Sequence, residues 1–215
     1  RTAEDQIEGR DLDHAALGQF CDSAEVYSRL DAADRVLQFA TFSFDGFVEQ
    51  CYPPLCVGAA LIMRGDEVWD AGQLAREIVE QGVTLADLPA AYWYLLAQEC
   101  VIDRRTLGHL RQVHVGGEAM SVEGLRAWHA AGLGHVRLVN TYGPTEATVV
   151  SSVHDCQLAD ASDAFGVPIG QAIEGRSLYV LDSGFELLAI EGVGELCIGA
   201  EYGLAQGYFE RPALT

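Results

Sequence analysis

From Leu30 onward, short apolar runs alternate with longer amphipathic ones. Residues 36–42 and 59–63 are rich in β-formers and read as buried strands; 83–88 reads as a third, ended by Pro89. Leu74, Ile78 and Val79 recur at helical spacing across 71–81, with Gly82 as the stop, and residues 90–100 return to helix. Residues 112–115 form a further strand running into Gly116-Gly117. Ser121 then caps a helix predicted over 122–130, with Glu118 and Glu123 near its positive end. Residues 137–142 are the next strand. This βαβα rhythm predicts an α/β fold, a mostly parallel sheet flanked by helices. After about Cys156 the character changes: short strands at 177–182 and 195–199 stand between Gly-rich turns, which predicts a small β-rich segment at the C-terminal end. The organisation read from the pattern is a polar N-terminal segment or helix over 1–29, an α/β core over 30–155 and a β-rich remainder over 156–215.

Composition narrows the function. A hydrophobic fraction of 49% in 215 residues is ample for a packed core. The net charge of −19, with only 13 Lys plus Arg, excludes a cationic surface that would displace counterions from nucleic acid or an anionic membrane. Six cysteines without a CxxC pair fit reduced, mostly buried thiols of a cytoplasmic protein, and the histidines show no zinc-ligand spacing. No apolar run reaches membrane-spanning length. Residues 7–10 spell IEGR, a processing-protease sequence to which no function is attached.

The chemistry concentrates at strand ends, where ligands sit in doubly wound sheets. Asn140-Thr141-Tyr142-Gly143-Pro144-Thr145-Glu146 follows one apolar run and precedes another. Gly143 permits unusual backbone angles and Pro144 stiffens the turn, so an aromatic ring, a hydroxyl and a carboxylate share one short loop. Such a loop suits a nucleotide: ring to base, hydroxyl to phosphate, carboxylate to magnesium. Phe44-Asp45-Gly46, Asp87 and Gly116-Gly117-Glu118 stand at three other strand ends. Taken singly, Asp45 reads equally as a turn residue or helix cap.

Together these runs resemble, in order and approximate spacing, the adenylation domains of nonribosomal peptide synthetases, within the acyl-adenylate-forming superfamily. The run 140–146 is similar to the family's adenine- and magnesium-binding motif, Phe44-Asp45 with Val48-Glu49-Gln50 to its substrate-pocket motif, and Gly116-Gly117-Glu118-Ala119 to the loop along the adenine. Residues 166–170 with 179–182, and 194–199 through 203–208, resemble the motifs that follow. Two departures occur in the last: Gln206 stands where the family has Arg, and Tyr202 is inserted. The resemblance covers residues 30–215.

The resemblance implies roles by position. Asp45 would pair with a substrate α-ammonium, Tyr142 would stack on adenine, and Asn140 with the Gly117, Glu118 and Ala119 backbone would hold its edge. Gly143 would shape the turn, Thr145 would bond phosphate and Glu146 would ligate Mg2+, with ATP as co-substrate. The side-chain pocket would be lined by Asp45, Gly46, Glu49, Asp87, His114, Gly116, Thr141, Val149 and Val150. Beyond Asp45, two further carboxylates then point into one cavity whose set contains no Lys or Arg, and buried carboxylates need a cation. The expected substrate is therefore a long cationic amino acid: lysine, with ornithine, hydroxyornithine and arginine as competitors. Glu49 or Asp87 facing solvent or capping a helix would remove that expectation.

The implied activity is formation of aminoacyl-AMP, followed by transfer to the phosphopantetheine of a partner peptidyl carrier domain. The family's phosphate loop upstream of Leu30, its ribose-binding Asp and the lysine of its small C-terminal domain are not found. The chain therefore reads as a fragment of the large N-terminal core, inactive alone and completed by the remaining adenylation subdomain. An acyl- or aryl-CoA ligase fragment and a non-catalytic ligand-binding module are the alternatives. Asp45 speaks against the first, because an acid without an α-amino group needs no such partner.

Overall fold

Strand residues that alternate between two apolar clusters define the architecture. A computed structural model describes residues 10–103, 106–162 and 165–213; the expectation attached to 7–9 lies outside these. Val36 and Leu85 belong to one buried cluster, while their neighbours Leu37 and Ala86 belong to another, so helices cover both sheet faces. In chain order the elements are β1 (Arg10–Asp11), α1 (His14–Ser28), β2 (Arg35–Gln38), α2 (Gly46–Val57), β3 (Ala60–Met63), α3 (Ala71–Glu80), β4 (Leu85–Pro89), α4 (Ala90–Asp103), β5 (Gln112–Gly116), α5 (Val122–Ala130), β6 (Arg137–Tyr142), β7 (Ser152–Asp155), β8 (Gln171–Ala172), β9 (Arg176–Leu181), β10 (Glu195–Ala200) and β11 (Gly207–Tyr208).

Seven strands form one sheet in the order β3-β2-β4-β5-β6-β7-β8. The first five are parallel; β7 and β8 are antiparallel. The reversal follows from the chain: β6 ends in Gly143-Pro144 and a single 3-10 turn, Thr145–Ala147, with no helix to carry a parallel crossover. A Cβ at Gly143 would lie 2.4 Å from the Val149 carbonyl, so only glycine fits the turn. The main sheet thus runs past residue 156 into β8, while β9 and β10 pair separately and β1 pairs with β11.

On one face, α3, α4 and α5 bury the larger core, centred on Trp93 and Trp128, whose rings lie 6.1 Å apart. Gly124 permits this approach, since a Cβ there would meet the Trp93 ring at 2.5 Å. On the other face, α1 and α2 pack together, and Phe20, Ala24 and Tyr27 of α1 join Val149, Val150 and Ile173. Among the described residues no helix is long and apolar enough to cross a membrane.

One element differs from the sequence expectation. The strand expected over 36–42 stops at Gln38, because the Phe39 and Ala40 amides donate to Gln50 Oε1 (2.7 and 2.8 Å) instead of to a neighbouring strand. The polar start resolves into α1, opened by Asp13, whose carboxylate accepts from the Ala16 amide at 2.7 Å. Ser121 caps α5 as expected, accepting from the Gly124 amide at 2.8 Å.

Candidate functional site

The carboxyl ends of β4, β5 and β6 and the first turns of α2 enclose a cavity of about 410 Å³. Its walls include Asp45, Gly46, Glu49, Asp87, Gly116, Thr141, Val149 and Val150, eight of the nine residues expected there. The ninth, His114, is 1% exposed and stands behind Glu49, so it acts on the cavity through that residue. Gly117, Glu118, Gly143 and Thr145 also border the cavity, whereas Ala119, Asn140, Tyr142 and Glu146 do not.

The three carboxylates sit in different settings. Asp45 occupies the N-cap position of α2, yet its side chain makes no capping bond; Thr145 Oγ1 donates to its Oδ2. Glu49 and Asp87 are 7% and 8% exposed, which removes the solvent-facing and cap alternatives. Glu49 Oε1 accepts from the Tyr27 hydroxyl at 2.8 Å and lies 3.0 Å from His114 Nδ1. Gln50 Nε2 donates to Asp87 Oδ2 at 3.2 Å and to its carbonyl at 3.1 Å. Burial and then the charge of Glu49 push the Asp87 carboxyl well above its ordinary range, against the opposing bond from Gln50 and with the smallest push from Asp45. Burial and the charge of Glu49 likewise raise the Tyr27 phenol, which stays a donor. Among the described residues no Lys or Arg lines the cavity.

Backbone geometry shapes the opposite wall. Gly116 has no room for a side chain: a Cβ would fall 2.4 Å from Thr141 Oγ1. Thr141 Oγ1 donates to the Val115 carbonyl at 3.2 Å, so towards a ligand its hydroxyl can act only as an acceptor. Thr148 and Val149 adopt left-handed φ of 57° and 66°, a strained state for β-branched residues that aims Val149 and Val150 into the cavity wall.

On the expected nucleotide side, Tyr142 is 38% exposed at the end of β6. Asn140 points to the other sheet face, donating to the Pro168 carbonyl at 2.8 Å. Glu146 Oε1 accepts from Tyr208 OH at 2.6 Å, and its carbonyl accepts from the Ala205 amide at 2.7 Å, which ties the loop to the C-terminal segment. Elsewhere, His154, Cys156 and Asp160 bring potential ligand atoms within 4.8 Å of one another. Asp160 Oδ2 already accepts from the Gln157 amide at 2.7 Å and lies 2.9 Å from His154 Nε2. Burial drives the Cys156 thiol up to about 12.

Tyr27, Gln112 and Arg137 stand outside every motif of the sequence, and Gln50 and Tyr208 stand inside motif runs without an expected role. One signal was present: Gln112 and His114 are polar at alternate positions of an apolar strand, hence on one face. Their partners come from register and packing, which a sequence does not display.

A model of the AMP-binding enzyme family matches residues 11–209. The chain is 40% identical over 183 residues to an isonitrile lipopeptide synthase of Streptomyces coeruleorubidus, covering 84% of this chain and 12% of that protein. It is 31% identical over 208 residues to gramicidin S synthase 1 of Brevibacillus brevis, covering 96% and 18%. It superposes with a TM-score of 0.80 and 29% identity on holo-PA1221, a nonribosomal peptide synthetase protein containing adenylation and carrier domains, covering 94% of this chain and 34% of that one. The chain thus spans under a fifth of these two curated relatives' length. It belongs to the AMP-binding enzyme family and corresponds to part of the N-terminal core of a nonribosomal peptide synthetase adenylation domain.

Proposed function

We propose that the chain carries the substrate-selecting part of an enzyme that joins a cationic amino acid to AMP. In the complete enzyme the substrate carboxylate attacks the α-phosphorus of ATP, an aminoacyl-phosphate bond forms, and pyrophosphate leaves. One observation carries the substrate class: Asp45, Glu49 and Asp87 share one cavity with no protein cation among its described lining residues. With Asp87 protonated, a substrate α-ammonium at Asp45 and a second cation between Glu49 and Asp87 would neutralise the set. Gly46 and Gly116 leave room for a long chain, and Val149 and Val150 can pack along its methylenes. Lysine fits best; ornithine, hydroxyornithine and arginine remain within reach, since one methylene is worth only about 1–3 kcal/mol.

The residues around the cavity mouth fit a nucleotide. Gly116 and Gly117 present bare backbone there, with Gly117 at φ 79°, and Tyr142 has an exposed ring within the same strand-end cluster. Glu146, oriented by Tyr208, would hold Mg2+, which would offset phosphate charge. Thr145 must release Asp45 to reach a phosphate, so ammonium binding at Asp45 and phosphate binding at Thr145 favour each other. A carrier domain would receive the product.

Calorimetry on the chain with lysine and with norleucine, which lacks only the terminal ammonium, tests the substrate class. Lysine should bind more tightly than norleucine, and Glu49→Gln should abolish the difference. Equal binding of the two would sink the cationic reading. The 215-residue chain alone should give no ATP–pyrophosphate exchange.

A further inference from the structure

Glu49 is the inner end of a hydrogen-bond chain that crosses the sheet. Arg137 Nη1 donates to Gln112 Oε1 (2.6 Å) and to the Tyr27 carbonyl (2.6 Å), while Arg137 Nη2 pairs with Asp155 Oδ1. Gln112, fully buried, faces His114 Nε2 with its Nε2, and His114 Nδ1 faces Glu49 Oε1 at 3.0 Å. Register brings the members together: Gln112 pairs with Arg137 across β5 and β6, and His114 lies two residues on, beside Asp87 of β4.

The direction of every bond follows from its outer end. A guanidinium only donates, so the Gln112 atom it meets must be the oxygen. Gln112 then presents N–H to His114 Nε2, which must offer a lone pair. The ring proton therefore sits on Nδ1 and is donated to Glu49 Oε1, where the Tyr27 hydroxyl donates as well. A reversed Gln112 amide would set NH2 against the guanidinium. Each bond polarises the next, from the Arg137 cation to the Glu49 carboxylate. Both bonds to Glu49 fall on Oε1, which leaves Oε2 as the oxygen for a ligand.

We propose that Tyr27, His114, Gln112 and Arg137 are positioning residues that hold Glu49 as an acceptor-only carboxylate, and that Gln112, outside the cavity, sets selectivity for a cationic side chain by dictating the His114 tautomer. This rests on the cationic reading above. It extends the specificity-determining set beyond the cavity lining, to residues on two strands and α1.

Gln112→Glu is the discriminating variant. A carboxylate at 112 keeps the partner of Arg137 but offers His114 only an acceptor. The ring must then carry a proton on Nε2, and it either becomes a cation beside Glu49 or turns a lone pair toward it.

Two readouts decide the matter. Ring 15N spectra of the chain should show His114 protonated on Nδ1 alone, changing to an Nε2-protonated ring in Gln112→Glu. Calorimetry should show lysine affinity falling about tenfold or more in that variant, with norleucine unchanged. Tyr27→Phe keeps the tautomer and should lose lysine affinity by a smaller factor. A wild-type ring protonated on Nε2, or equal losses for lysine and norleucine in Gln112→Glu, would overturn the proposal. The wild-type ring spectrum and Tyr27→Phe decide it even where Gln112→Glu fails to fold. No preference for lysine in the wild-type chain, with the expected ring spectrum, refutes the cationic reading and the selectivity claim while leaving the tautomer assignment standing.

Discussion

Replacing Asp87 by asparagine should make the chain more stable at neutral pH, by an amount that grows with pH. Asp87 is 8% exposed, and its carboxyl is raised by burial and then by the neighbouring charges of Glu49 and Asp45. The folded state therefore keeps a proton that the unfolded chain releases near the reference value of 3.8. Between that value and the raised folded one, the native state binds more protons, so stability is fullest below 3.8 and falls as pH rises. One proton corresponds to about 1.4 kcal/mol per pH unit, or about 3 kcal/mol over two units. The amide introduced by Asp87→Asn keeps an oxygen for Gln50 Nε2, which now donates to Asp87 Oδ2 at 3.2 Å, and has no titrating proton to lose. Other titrating groups are common to both proteins and largely cancel in the difference. Urea unfolding of both chains in steps from about pH 4.5 to 7 should give a gap that widens with pH, and saturating lysine should narrow it. A gap that stays constant across this range would refute the reasoning.

Two further substitutions probe the walls. Gly116→Ala places a Cβ 2.4 Å from Thr141 Oγ1 and 3.1 Å from the Thr141 carbonyl, so unfolding should show a loss of about 1–3 kcal/mol, partly recovered by adding Thr141→Ala. Gln50→Leu removes the acceptor of the Phe39 and Ala40 amides and the donor to Asp87; a loss of at least about 2 kcal/mol in urea unfolding is expected, with weaker lysine binding in calorimetry. Unchanged stability in Gln50→Leu would show that water replaces those bonds.

Locally signalled elements were legible. Strand 137–142 and helix 122–130 lie where the sequence puts them, because an apolar run and a Ser cap act within a few residues. By contrast, α2 carries Pro53 and Pro54 inside it, which remove two amide donors and read as a break in the pattern. The helix α1 was legible only as a polar segment or helix, because its buried side chains are spread among exposed polar ones. For the site, motif resemblance located the cavity lining; Asp45, Asp87 and Thr141 stand within two residues of a glycine or proline, whereas Glu49, Val149 and Val150 do not. Arg137 and Tyr27 have no such neighbour either. They matter through cross-strand register and helix packing over 25 and 22 residues, and no local pattern encodes those distances.

Asp45 and Glu49 lie four residues apart at the start of one helix, α2. Their separation is therefore set by helical pitch, about 6 Å along the axis, and not by any loop that can lengthen or contract. The helix is a ruler with two fixed charges. Duplicated copies of such a domain that diverge toward shorter or longer ligands cannot slide one charge past the other. They must recut the facing wall, at Asp87, Thr141, Val149 and Val150, or surrender the second charge altogether.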